Sequence, residues 1–236
     1  MHLQPSLGQA EAYINVHLSR SGPGHLTKPV GPFVTVSREA GAGGHGFARM
    51  LAARLDHELP GETPWTVFDR NLVEAVLQSE QLSPRIARFL PEDKVSEIDS
   101  SIGELLGLHP SIWSLTQRTN QMMRELARAG HVILVGRGAN FATDQVASGL
   151  HVRLVAPPAM RAAHLARELG IGAEDALGQI DRIDAARRNY VRSVFGADVT
   201  RACDYDLVCN LGRLPLEQVV DLAATVLRSR IVAPVT

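Results

Sequence analysis

The 236-residue sequence predicts a layered α/β fold built on a five-stranded parallel sheet. Three observations carry that reading. Five short apolar runs recur along the chain, they lack polar–apolar alternation, and stretches of helical period separate them. Runs that are apolar at every position suit strands buried on both faces, and that burial requires helices above and below the sheet.

The strands expected in order are FVTVS (33–37), TVF (66–68), HVILVG (131–136), HVRLVA (151–156) and YDLVCN (205–210). Helical patterns cover 45–58, 71–80, a long region 83–128 interrupted at GLHPS (107–111), 139–145, 158–169, 173–195 and 216–229. Residues 1–32 include SGPGHLTKPVGP, whose proline and glycine content marks an N-terminal extension expected to be partly flexible, with a short helix over 11–19. Residues 33–236 then form the domain. In the long helical region, Leu105, Leu106, Leu108, Ile112, Trp113 and Leu115 would cover either the core or a partner subunit, so 83–128 is the candidate surface for a homodimer.

Composition narrows the function classes. A net charge of −1 leaves no basic footprint for nucleic acid, and 5% aromatic residues leave few stacking platforms for single strands. The apolar runs fall well short of the ~18 residues needed to span a bilayer. The first twenty residues lack a basic stretch followed by an apolar core, so a cytoplasmic location is expected. Cys203 and Cys209 are six apart, but Cys209 in DLVCNL reads better as a small buried hydrophobe than as half of a disulfide. The nine histidines include no helical pair flanking a glutamate, and no metal-ligating set of side chains is read from the sequence. His131 and His151 are expected as polar residues at strand edges.

The chemistry concentrates in SREAGAGGHGFAR (37–49), where Gly41, Gly43, Gly44 and Gly46 lie between a strand and a helix. Gly41-Ala42-Gly43-Gly44-His45-Gly46 matches the dinucleotide fingerprint G-x-G-x-x-G, and Asp69 follows a second strand as that motif asks. Against a dinucleotide-binding oxidoreductase stand the four residues Ser37 to Ala40, because that fold turns into its first glycine almost at once. A phosphate-wrapping G-x-x-x-x-G-K-[ST] loop has the observed length. Aligned on Gly43, its first glycine falls at Arg38, its lysine at Gly44 and its hydroxyl residue at His45. Backbone amides of such a loop and the helix behind it hold an anion without any side chain. Catalysis asks more, since the lysine and the metal-bound hydroxyl normally neutralise the phosphates. A glycine-rich turn that merely packs helix on strand is the bland alternative.

Together, VSREAGAGGHGFARMLAARL, FDRNLV, VILVGRGANF and DAARRNYVRSVFGAD with YDLVCNLGRLPLEQVV resemble the cytidylate kinase-like family, a P-loop nucleoside-monophosphate kinase branch without the P-loop lysine. The resemblance runs from about 33 to 228. It implies a P-loop kinase-like three-layer fold with a helical insertion and a lid over about 173–200. It also implies ATP with Mg²⁺ as donor and a CMP-like monophosphate or related small phosphate acceptor. The loop 41–46 would hold the donor phosphates, and Arg38 or a lid arginine would replace the missing lysine's charge. Asp69, Arg70 and Arg137 would seat the acceptor. Arg182, Arg187, Arg188 and Arg192 lie on the lid helix, and Arg188 and Arg192 would clamp the transferring phosphoryl group. The blander readings are an N-cap for Asp69, an exposed Asp184–Arg188 pair on the lid helix, and a strand cap for Asn210. A non-catalytic nucleotide-binding protein on the same fold is the rival function.

Overall fold

A computed structural model describes Tyr13 and residues 31–60, 64–69 and 112–232. The strands are β1 (Phe33–Arg38), β2 (Thr66–Asp69), β3 (Val132–Val135), β4 (Gly149–Val155) and β5 (Leu207–Asn210). The helices are α1 (Gly44–Glu58), α2 (Ile112–Ala129), α3 (Ala139–Ala142), α4 (Pro158–Leu169), α5 (Ala173–Phe195) and α6 (Leu216–Val232). The expected helix 71–80 and the part of the 83–128 region before α2 lie outside the described residues, as does Arg70.

The five strands are all parallel, in the order β2-β3-β1-β4-β5. β1 is therefore central, between β3 and β4. A dinucleotide fold would place its first strand beside its second, so the sheet order removes the oxidoreductase alternative that the glycine spacing had kept open.

Strand alternation divides the core between the two faces. Phe33, Val132 and Leu134 pack with Met122, Met123 and Leu126 of α2 on one side. Val34, Val36, Ile133, Val152 and Leu154 pack with Phe47 and Leu51 of α1 and Val219, Ala223 and Leu227 of α6 on the other. Both faces are dry, which is why the strands read as unbroken apolar runs. Tyr13, from the segment expected to be an extension, is buried in the first cluster. Its hydroxyl donates to the Gly130 carbonyl, and its ring meets Phe68 edge-on at 5.7 Å.

α4 and α5 form a helical hairpin through Gly170, whose left-handed φ of 67° ends α4. Their shared small core, Ala162, Leu165, Ala176 and Ile180, takes in Ala40 from the glycine-rich loop. The hairpin is thus packed on the loop, with consequences for the site.

His151 corrects the strand-edge expectation. β4 begins two residues before it, at Gly149, because a Cβ there would lie 2.5 Å from the Phe33 ring and only glycine lets the strands close up. His151 consequently lies within the sheet, its Nδ1 2.8 Å from the buried Thr35 hydroxyl. Both cysteines are free, with Cys209 buried as a small apolar residue.

Candidate active site

In an open parallel sheet, ligands bind beyond the carboxyl ends of the strands, where chain connections part to opposite sides. At that edge β1 ends in Arg38, β2 in Asp69 and β3 runs into Gly136-Arg137-Gly138. A cleft of about 450 Å³ opens there, between the strand ends and one flank of α5. Five arginines line it (Arg38, Arg137, Arg153, Arg187 and Arg188) against two carboxylates, Glu39 and Asp184. The whole chain carries a net charge of −1, so this excess of positive charge is local. A cleft with one sign of charge and apolar walls concentrates anions.

The loop joins β1 to α1. Gly41 and Gly43 adopt left-handed φ of 74° and 76°. At Gly41 a side chain would also strike the α4 backbone, 2.3 Å from the Arg161 carbonyl oxygen. At Gly43, the N-cap of α1, there is room, so conformation alone requires glycine. His45 stands at the second position of α1, its Nε2 3.4 Å from Asp69 Oδ2.

A carboxylate network fixes the loop to the hairpin. Asp184 of α5 accepts from the Ala40 amide at 2.8 Å and from Arg161 Nη1 at 2.7 Å. Arg161 Nε donates to the Ala156 carbonyl at 3.0 Å and Nη1 to the Ala40 carbonyl at 3.2 Å. Glu39 accepts from the Ala156 amide at 3.1 Å. Arg187 donates to the Arg38 carbonyl at 3.1 Å. In place of the exposed Asp184–Arg188 pair, the blander reading of that spacing, Asp184 takes this inward arrangement. Arg161, one helix away, offers a buried partner whose Nη1 reaches Asp184, and Arg188 is exposed on the flank of the cleft.

The other side of the cleft is built by the GRG turn. Gly136, Arg137 and Gly138 all have positive φ, at 85°, 55° and 65°. A Cβ at Gly138 would lie 2.5 Å from the Phe195 ring, so the glycine lets the end of α5 settle on the strand ends. Arg137 places its guanidinium 5.4 Å from the centre of the Tyr190 ring, a cation–π contact between the turn and α5. Arg153 is buried in β4, donates to Ser37 Oγ at 3.1 Å and lies over Tyr205 at 5.7 Å.

Of the residues singled out from sequence, Arg38, Arg137, Arg187 and Arg188 meet in the cleft lining. Asp69 stands beside His45 and contributes attraction to Arg38. Arg192 lies one turn beyond Arg188 and is exposed, outside that lining, while Arg182 is exposed and donates to its own helix at Gly178. Asn210 closes the turn after β5, accepting from the Gly212 amide at 2.9 Å. Arg153, Arg161 and Glu39 were missed. For Arg153 a signal existed, an arginine inside the apolar run HVRLVA, since charged residues are rarely buried without a partner.

The central β1, its glycine-rich loop and the helices on both faces define a P-loop kinase-like fold. The sequence profile of the cytidylate kinase-like family matches residues 33–213, and the chain belongs to that family. Over 106 residues it is 29% identical to a cytidylate kinase from Pyrococcus horikoshii, a match spanning 45% of this chain and 53% of that relative's length. An uncharacterized protein from Eubacterium ventriosum shares the fold with a TM-score of 0.63 at 17% identity, covering 84% of this chain and 99% of its own. A shikimate kinase from Bacteroides thetaiotaomicron aligns at a TM-score of 0.44 and 15% identity, over 86% of this chain and 99% of its own.

Proposed function

We propose that the protein transfers the γ-phosphoryl group of ATP to a nucleoside monophosphate of the CMP kind, or to a closely related small phosphate acceptor. The observation that carries this reading is the five-arginine cleft opening beside the glycine-rich loop at the carboxyl edge of the sheet. In-line phosphoryl transfer asks little covalent chemistry of a protein. It asks for positioning and for cations around the equatorial oxygens.

The loop 41–46 suits the donor phosphates, because its left-handed glycines turn the backbone toward the amino end of α1. Arg137, with Arg70 and Asp69, would seat the acceptor. Arg188 would close on the transferring group, with Arg192 behind it. Mg²⁺ would arrive on the triphosphate. Among the described residues no cluster of three or more His, Cys, Asp or Glu could hold a metal, and Asp69 is the carboxylate beside the start of α1. When bound, the metal would neutralise phosphate charge.

One observation favours a second reading, a nucleotide-binding protein without catalysis: neither residue 44 nor residue 45 carries the group a phosphate-wrapping loop usually supplies. Calorimetric titration with ATP and CMP, followed by a turnover assay with Mg²⁺ across the common monophosphates, separates the two. Slow phosphorylation of at least one pyrimidine monophosphate is expected. ATP binding with no turnover on any monophosphate would establish the binder instead.

A further inference from the structure

We propose that the glycine-rich loop has exchanged the places of its glycine and its cation. Arg38 supplies, from the position where a G-x-x-x-x-G-K-[ST] loop begins with glycine, the charge that such a loop takes from lysine. Gly44, at the lysine position, is glycine because the Arg38 side chain fills its space. The inference rests on the phosphoryl-transfer reading above and assigns the source of its missing charge.

The packing carries it. A Cβ at residue 44 would lie 2.8 Å from Arg38 Cγ and 3.2 Å from Cδ. A Cβ at residue 136 would lie 2.1 Å from Arg38 Nη1 and 3.1 Å from Cζ. The stem of Arg38 therefore runs along the first residue of α1 and its head lies across the turn after β3. Two glycines from separate elements form a slot for one arginine. Gly41, Gly43 and Gly136 need glycine for their left-handed backbone, but Gly44 is an ordinary helical residue outside that region. Its lack of a side chain is explained by space alone.

The electrostatics agree. The head of Arg38 shares its surroundings with Arg187, which repels it, and with Asp69 and Asp184, which attract it. It stands close to the amino end of α1, where a cation opposes the helix dipole and an anion would relieve both. Burial, then Arg187, pushes the guanidinium down to about 10, so it stays charged at neutral pH. Arg38 also lines the cleft, as a phosphate ligand must.

The test is reciprocal. Arg38→Gly and Gly44→Lys should each lose ~10–100-fold in affinity for ATP, the worth of a charge-assisted contact. The double variant Arg38→Gly/Gly44→Lys recreates the usual order and should recover most of that loss. Thermal melts give a readout independent of nucleotide. Gly44→Ala should lower Tm in the parent, where its Cβ meets Arg38, and raise it in the Arg38→Gly background, where alanine simply favours the helix. Arg38→Ala serves in place of Arg38→Gly should the glycine weaken β1. A double variant no better than the worse single, with ATP still bound by the parent, would overturn the exchange and leave the phosphoryl-transfer reading standing. A parent that binds no ATP while the melts remain coupled would sink that reading, and with it the charge assigned to Arg38.

Discussion

The arginines around the cleft fall into two groups that the fold treats differently. On the loop side, Arg161 is buried and bound to Asp184 and to two backbone carbonyls, while Arg187 holds the Arg38 carbonyl and Arg153 holds Ser37. On the outer flank of α5, Arg188 and Arg192 are exposed. The first group is held by hydrogen bonds within the protein, and the second faces solvent. Preorganised donors act without reorganisation during the reaction, whereas mobile ones act by closing. The same helix serves both ends. Its inner face, through Asp184, ties it to the loop, so closure of an α5 lid would have to spare that contact or break it.

The largest expected effect breaks the anchored side. Asp184→Ala leaves Arg161 without its carboxylate and the Ala40 amide without its acceptor. Removing one partner of a buried pair costs ~3–5 kcal/mol, and urea unfolding should register a loss of that order. Asp184→Asn should recover part of it by keeping the amide's acceptor. An alanine variant as stable as the parent would show that the network follows the fold and does not hold it.

The exposed side should give the opposite signature. Arg188→Ala is expected to cut kcat by ~10², equivalent to ~2.7 kcal/mol of transition-state stabilisation, while the ATP dissociation constant shifts by only a few-fold. Its Tm should stay within a degree or two of the parent, since exposed charges contribute little to stability. Steady-state kinetics beside melts decides it, and unchanged turnover would remove Arg188 from the chemistry. Arg192→Ala should fall below Arg188→Ala in the same assay, at a few-fold, because Arg192 stands outside the cleft lining. Equal losses would mean that closure brings both arginines inward.

The smallest effect lies in the sheet. Burial lowers the pKa of His151 below its ordinary value of 6.5, and His131 is lowered for the same first reason. The folded state therefore favours neutral imidazole. The associated stability is complete above the ordinary value and is lost as pH falls below it and through the lower folded value. Tm should decline between pH 7 and pH 5, and His151→Gln should flatten part of that decline while leaving the share of His131. An identical slope in the variant would place the titration elsewhere.

Legibility differed between the fold and the site. The bounds of α5 were readable because Gly172 and Gly196 punctuate a long stretch of helical period. β1 and β3 were readable as apolar runs ending in glycine-rich turns. Arg38 and Arg137 stood out because each adjoins a strand end and a glycine turn. Arg161 and Asp184 did not, because their meaning lies in each other and in Ala40, 144 residues from Asp184 along the chain. The helical spacing of Asp184 and Arg188 suggested a local pair, and a buried partner on the neighbouring helix overrode it. His151 was placed one step too far out because the strand start depends on the fit of Gly149 to the Phe33 ring, a contact between strands.

By itself the sequence determined the parallel sheet and the strand–loop–helix unit, since apolar period and glycine punctuation act over a few residues. Which strands lie side by side, which carboxylate meets which arginine, and why residue 44 has no side chain were decided only by the tertiary structure. Those properties belong to groups far apart in the chain that burial forces into one low-dielectric space, where each charge must find a partner and each atom its volume.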